Sequence, residues 1–309
     1  MNPLWIRALR RTGLRGRHFA GLARWLRPLS QSNLAPKGLV RWIPVNTTFR
    51  VAIAPDLSFR YSLSTSWTDG YGRALYWHGL KGVEPETIRV FLQFVRNARL
   101  FLDVGCHTGV YSLVACALNP SLRVIAFEPV PEVRCKLVEN LEVNHFEQRC
   151  VIRSEALSDY SGSAKFHVPV SRDMASLDPQ GFRGLPGKLI DVDVVTADSV
   201  IEPGVHVDLV KIDVEGFEDQ VLRGMSRVLS DTRPRIIFEC LTPQLAMKIA
   251  DTLTRHGYQF FRIGPQGLES VEQLVPDEHC RYRNFLAEPV SRSALPTSQP
   301  RTCLPATSQ

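Results

Sequence analysis

The segment Leu100-Phe-Leu-Asp-Val-Gly-Cys-His-Thr-Gly109 limits this chain's fold more than any other. Leu100–Val104 is a short apolar run ending in Asp103-Val-Gly105, and Val110–Leu118 is an apolar helical run that begins directly after Gly109. A strand that becomes a helix within five residues needs unusual backbone freedom. Glycine supplies positive φ there and lets a ligand approach the backbone closely. The next apolar strand, Arg123–Phe127, is followed by Glu128, 25 residues after Asp103 and 19 after Gly109. An acid about 20 residues past a glycine turn, at the end of the following strand, is placed to accept hydrogen bonds from both hydroxyls of a ribose.

The same alternation runs through most of the chain. Ile88, Phe91, Leu92 and Val95 recur at helical spacing over Pro85–Arg96, and Pro131–Asn144 carries Val133, Leu137, Val138 and Leu141 on one face. Strands are expected at Cys150–Arg153, Ala164–Val168, Val207–Ile212, Arg235–Cys240, Tyr258–Ile263 and Asn284–Ala287. Helices are expected from about Glu218 to Leu229 and over Pro243–His256. Repeated β-α-β units predict an α/β fold, a mostly parallel sheet with helices on both faces. Ahead of it, Phe49–Ile53 and Phe59–Leu63, separated by Pro55-Asp56, predict a β-hairpin. The expected division is a basic extension over 1–40, a hairpin segment over 41–78, the main domain over 79–288 and a disordered Pro/Ser/Thr-rich tail over 289–309. Pro169–Lys188, with three prolines and three glycines, is expected to be a long loop that shapes a binding pocket.

Charge is unevenly distributed. Residues 1–50 hold ten Lys or Arg and no Asp or Glu, whereas the other 259 residues carry a net −4. The mildly acidic body argues against a nucleic-acid groove. Between residues 1 and 30, seven arginines alternate with Trp5, Ile6, Leu9, Leu14, Phe19, Leu22 and Leu26, in the manner of an amphipathic basic helix interrupted by Gly13 and Gly16. Three readings of that helix stand: packing on the body, lying on an anionic membrane surface, or serving as a cleavable transit sequence. Its arginines break any apolar core of a secretory signal. The seven cysteines show no C-x-x-C spacing, so neither a disulfide framework nor a zinc site is expected, and a reducing, cytoplasmic compartment is. The basic end could hold the chain at the inner face of a membrane.

The glycine turn alone is compatible with a mere tight turn. Cys106-His107-Thr108 supplies no central glycine for a pyrophosphate, so the turn together with Glu128 favours an adenosyl cofactor without phosphates, S-adenosylmethionine rather than NAD. A second constellation is Val207-Asp-Leu-Val-Lys211-Ile-Asp213-Val-Glu215-Gly216. Lys211, Asp213 and Glu215 are spaced by two and share a face in an extended chain. Buried unpaired, they would cost several kcal/mol; they must pair or face a cleft. Glu239 ends the next strand at the same sheet edge. A structural Lys–carboxylate pair remains the plainer reading of any one of them.

FLDVGCHTG (101–109), VIAFEP (124–129), SEALSD (154–159), VDLVKIDVEGFEDQVLRG (207–224) and RIIFE (235–239) resemble, in order, the motifs of the FkbM-type methyltransferases, over roughly Gly79–Ala287. The resemblance implies the class I methyltransferase fold: a Rossmann-like, seven-stranded, mostly parallel sheet with an antiparallel last strand. It implies S-adenosylmethionine as cofactor and O-methylation of a small molecule, sugar or glycolipid hydroxyl. By the same resemblance Asp103, Gly105 and Gly109 form the cofactor turn, Glu128 binds the ribose, and Glu155 and Ala156 flank the adenine. Lys211, Asp213, Glu215 and Glu239 then line the reaction side. Where the family has Ala-Asn-Ile or similar, this chain has Cys106-His107-Thr108, and His107 is placed to donate to the methionine carboxylate.

Methyl transfer from a sulfonium is an in-line displacement governed by alignment and exclusion of water. Asp213 is the expected proton acceptor or acceptor anchor, with Glu215 and Glu239 assisting. No metal is demanded by the spacing; Asp213 and Glu239 holding a hard divalent ion is the alternative. His167 and His206 are read as ordinary surface or loop residues. The competing class is a non-catalytic protein of this fold, held at a membrane by its basic end.

Overall fold

A computed structural model of the chain describes residues 17–32, 43, 45–63, 69–169, 187–276 and 283–290. Helix α1 (Arg17–Gln31) is followed by the hairpin β1 (Thr47–Ala54) and β2 (Leu57–Leu63), then α2 (Gly70–His78) and α3 (Pro85–Val95). The motifs lie on β3 (Leu100–Val104), α4 (Val110–Leu118), β4 (Arg123–Phe127), α5 (Pro131–Glu142) and β5 (Cys150–Arg153). A small three-stranded sheet comes next: β6 (Ala156–Leu157), β7 (Gly162–Pro169) and β8 (Gly187–Val195). Then come α6 (Ala197–Val200), β9 (Leu209–Ile212), α7 (Glu218–Arg223), α8 (Ser226–Asp231), β10 (Arg235–Glu239) and α9 (Pro243–Arg255). The described chain closes with β11 (Tyr258–Gly264), β12 (Gly267–Val271) and β13 (Asn284–Pro289).

The central sheet has the order β12-β11-β13-β10-β9-β3-β4-β5. β5, β4, β3, β9 and β10 run parallel, and β13 enters antiparallel between β10 and β11. These are the seven strands expected, and β12 extends the edge as an eighth, antiparallel to β11. Alternation along each strand feeds two cores. Phe101, Val124, Ala126, Leu209 and Ile237 pack with helices α3, α4 and α5. Leu102, Val104, Val210, Ile212, Ile236 and Phe238 pack on the other face, against Val221, Leu222, Leu229, Ile249 and Leu253. Helices therefore cover both faces.

Two local expectations change. The single helix expected over Glu218–Leu229 is two, α7 and α8, broken around Gly224. A Cβ at Gly224 would lie 1.9 Å from the Ser158 carbonyl oxygen, so the chain passes too close to the small sheet for any side chain there. The expected loop over Pro169–Lys188 is strand at both ends, because Val168↔Lys188 and Pro169↔Gly187 are paired in β7 and β8. Residues 170–186 lie outside the described residues, as do 1–16 and the expected tail beyond residue 290.

The hairpin and α2 join the same core as β3 and α4. Asp69 caps α2 by accepting from the Gly72 N–H at 2.6 Å. The buried Tyr61 hydroxyl, from β2, lies 3.3 Å from both Asp69 oxygens and 2.7 Å from Thr108 Oγ1 in the glycine turn. Asn140 in α5 completes the tie: its Oδ1 accepts from the Ser62 N–H at 2.8 Å and its Nδ2 donates to the Thr108 carbonyl at 3.0 Å. The N-terminal hairpin is thus hydrogen-bonded to the turn that the family motif supplies. Tyr61→Phe removes the hydroxyl's hydrogen bonds to Asp69 and Thr108 and is expected to lower unfolding free energy by about 1–3 kcal/mol, read from urea denaturation followed by circular dichroism.

Candidate active site

Strand register sets the site. Val104 pairs with Phe127 on β4 and with Ile212 on β9, and Ile212 pairs with Phe238 on β10. The next residue on each of these four strands is Glu128, Gly105, Asp213 and Glu239. All four stand at the carboxyl edge, where the strand order reverses and ligands of open α/β sheets bind. Gly105 has φ +75°, and a Cβ there would lie 1.9 Å from the Asp213 carbonyl oxygen. No other residue fits that crossing.

An open cleft begins here, lined by Gly105, His107, Glu128, Glu155, Ala156, Asp213 and Glu215 among others. Phe127, Leu157 and Phe166 give it apolar walls. Glu128 is buried; its Oε2 accepts from the His107 N–H at 3.0 Å and its Oε1 from the Val130 N–H at 2.8 Å. Each oxygen keeps a second lone pair, so the carboxylate is oriented and still able to accept from a vicinal diol. Burial raises its pKa to about 7 against the help of those two N–H groups. An acid so held, apolar walls beyond it and a side-chain-free Gly105 beneath fit the ribose, the adenine and the close backbone approach of an adenosyl group.

A smaller lobe adjoins it, lined by Asp103, Thr108, Tyr111 and Lys211 and sharing Tyr71, Gly105, His107 and Asp213 with the first. Asp103 is buried and accepts from the Ser112 hydroxyl at 2.6 Å; burial lifts its pKa to about 6. Lys211 is 1% exposed, 3.0 Å from Asp213 Oδ2 and 5.1 Å from the centre of the Tyr111 ring. Burial opposes its charge, but Asp213, Glu84 and Glu239 outweigh that and hold its pKa above the ordinary lysine value.

The acids at the ends of β9 and β10 converge. Asp213, Glu215 and Glu239 each bring a carboxylate oxygen to within 4.8 Å of the others. Sharing an extended face accounts for Lys211 and Asp213 only. Glu215 arrives by a turn, with φ +55° followed by Gly216 at φ +102°. Lys211 pairs with Asp213, and Arg283 reaches Glu239 at 3.2 Å. Burial, then the charge of Asp213, raises Glu215 to about 7 and also raises Glu239.

Nine of the eleven sequence-derived residues line the two lobes, and Glu239 joins them through the carboxylate cluster with Asp213 and Glu215. Gly109 stands apart: it precedes α4 at φ +87°, where a Cβ would meet Leu137 Cδ1 at 2.3 Å, and it lines neither lobe. Sequence reasoning missed Tyr71. Its ring lies 5.2 Å from that of His107 and lines both lobes. It comes from α2, whose glycine-rich start (Gly70-Tyr71-Gly72) hides any helical period. Phe166 was also missed: its strand was expected, but not that β7 would turn this ring into the cleft. His206 is exposed beside Asp208, as an ordinary surface residue; His167 is buried in β7.

A family model described as the methyltransferase FkbM domain matches residues 103–260, half of the chain. The chain belongs to that family. Over 150 residues it is 27% identical to the hexuronic acid methyltransferase AglP of Haloferax volcanii, covering 47% of this chain and 58% of that one. Over 198 residues it is 29% identical to the AMB antimetabolite synthetase AmbE of Pseudomonas aeruginosa, covering 51% of this chain and 9% of that protein. The chain therefore spans less than two thirds of either relative. Among solved structures, the methyltransferase FkbM from Methylobacillus flagellatus is 16% identical, over 91% of this chain and 65% of that one, with a TM-score of 0.41. A precorrin-6Y C5,15-methyltransferase from Geobacter metallireducens is 17% identical, over 67% and 90%, at 0.38.

Several buried carboxyls of this family member keep their protons near neutrality: Glu128 and Glu215 to about 7 and Glu218 to about 8, each through desolvation first. In the unfolded chain they lose them near 4.5. The folded state therefore binds more protons across that window, and stability is greatest below it and declines as pH rises through it. The melting temperature of the cofactor-free protein is expected to fall steadily between pH 4.5 and about 8, followed by differential scanning fluorimetry in a constant-ionic-strength buffer series.

Proposed function

We propose that the protein is an S-adenosylmethionine-dependent O-methyltransferase acting on a sugar or other small polyhydroxylated acceptor. The observation that carries this reading is the shared edge: Glu128, Gly105, Asp213 and Glu239 stand side by side on four adjacent strands. That row puts a diol-binding acid and a convergent set of proton-accepting carboxylates on the two sides of one glycine turn. The sugar class is suggested by the relative named for hexuronic acid methylation.

When bound, S-adenosylmethionine supplies an electrophilic methyl group on a sulfonium. Everything else falls to the chain. Glu128 fixes the ribose, Glu155 and Ala156 flank the adenine, and His107 with Asp103 faces the methionine end. Tyr71 roofs the cleft against His107 and keeps water from the reacting line, which strengthens every charge beneath it. Lys211 holds Asp213 in place at 3.0 Å, so that Asp213 orients the acceptor hydroxyl. The released proton passes to the carboxylate cluster, where Glu215, with a pKa of about 7, is matched to take it near neutral pH. Lys211 and Arg283 offset the charge of Asp213 and Glu239, which favours a proton-accepting role for the cluster.

Asp213→Ala is expected to bind S-adenosylmethionine within about threefold of the parent and to lose at least about a hundredfold in methyl transfer. Methyl-labelled cofactor incubated with panels of monosaccharides, glycolipids and polyketides reads both the acceptor and the loss. Undiminished transfer by Asp213→Ala removes that residue from the chemistry.

A further inference from the structure

Helix α1 is fixed to the body along one side only. Ala23, Leu26 and Ser30 are buried, and the Arg27 guanidinium lies 4.7 Å from the centre of the Phe49 ring and 4.9 Å from that of Tyr76, donating to the Tyr76 carbonyl at 3.0 Å. Beside that seam runs a second apolar stripe. Leu22 is 44% exposed and Trp25 is 68% exposed, and with the half-buried Leu29 they follow one another at i, i+3 and i+7. A tryptophan that open to solvent costs hydration free energy without adding to the core. Arg24 is exposed next to it.

We propose that this face of α1 docks on an anionic lipid surface. Charge selects that occupant. Residues 1–50 carry ten basic and no acidic groups, while the remainder of the chain is net negative. A second copy of the chain would have to bring two such basic segments together, which like-charge repulsion opposes. An anionic bilayer instead attracts the basic end and repels the body, so the helix approaches first and flat. Trp25 and Leu22 then enter the headgroup boundary, where an amphipathic ring is most favourably placed. The Arg27 sandwich keeps the helix formed and oriented before contact, so binding orders little of the chain. α1 rests on α2, and Tyr71 in the first turn of α2 lines the cleft, so the docking face and the cleft share one support. The proposal does not depend on the chemistry assigned to the cleft.

The test is co-sedimentation of the full chain with phosphatidylcholine vesicles with and without phosphatidylglycerol, at physiological salt. The expected result is pelleting with the anionic vesicles only, reduced roughly tenfold in the Leu22→Ser/Trp25→Ser double variant. Matching thermal melts and matching heats of cofactor binding show that the double variant remains folded. Failure to pellet with either vesicle overturns the proposal. So does equal pelleting of the double variant, which assigns binding to the basic residues alone. A parent that runs as a dimer on size exclusion, with the double variant a monomer, gives the face to a second copy and also overturns it.

Discussion

The close crossing of Gly105 under the Asp213 carbonyl is the contact from which the rest of the site follows. With 1.9 Å between a notional Cβ and that oxygen, the turn after β3 and the chain leaving β9 are pressed together. Their registers with β4 and β10 then decide which residues reach the edge. Glu128 lands on one side of the crossing, and Asp213, Glu215 and Glu239 land on the other. Neither half could be moved by a residue without inverting the strand faces, because the side-chain period of a strand is two.

Charge burial is the cost of this arrangement, and it is offset locally. Lys211 sits wholly inside the sheet because Asp213 meets it on the strand and the face of Tyr111 lies below it. Glu128 is buried because two backbone N–H groups aim at it. Glu218, buried in α7, accepts from the N–H groups of Val214 and Gly216 and so shapes the turn that carries Glu215. Desolvation still wins at several of these carboxyls, which is why they titrate near neutral pH rather than near 4.5. A buried acid near neutrality is a stability cost and a catalytic asset at once.

Much of this was legible in the chain. The apolar runs ending in Asp103, Glu128, Asp213 and Glu239 gave the parallel strands, and their C-terminal residues gave the edge, because periodicity and strand-end position are local properties. The expected hairpin is present as β1 and β2, since alternation around Pro55-Asp56 is also local. What escaped was non-local. Tyr71 reaches the cleft only because Asp69, Tyr61, Thr108 and Asn140 tie α2 and the hairpin to the glycine turn, and no spacing encodes that. Only the first two residues of β8 fell in the expected loop; Leu189–Val195 was assigned no element, although Ile190, Val192 and Val194 alternate there. Glu215 was placed by strand spacing, yet it arrives by a left-handed turn whose enabling residue is the glycine after it. The basic N-terminus left three readings open by composition. The structure packs residues 17–31 of it on the body, while residues 1–16 lie outside the described residues.

The account stands on the cleft at Gly105 and Glu128 being an adenosyl site in this chain, and not merely a fold inherited without its ligand. Isothermal titration of the full protein with S-adenosylmethionine, alongside NADH as a control, tests that most directly. Saturable heat at one cofactor per chain, abolished by Glu128→Ala and absent with NADH, is the result expected. No heat at millimolar S-adenosylmethionine from folded protein would contradict it and leave a methyltransferase fold without a cofactor.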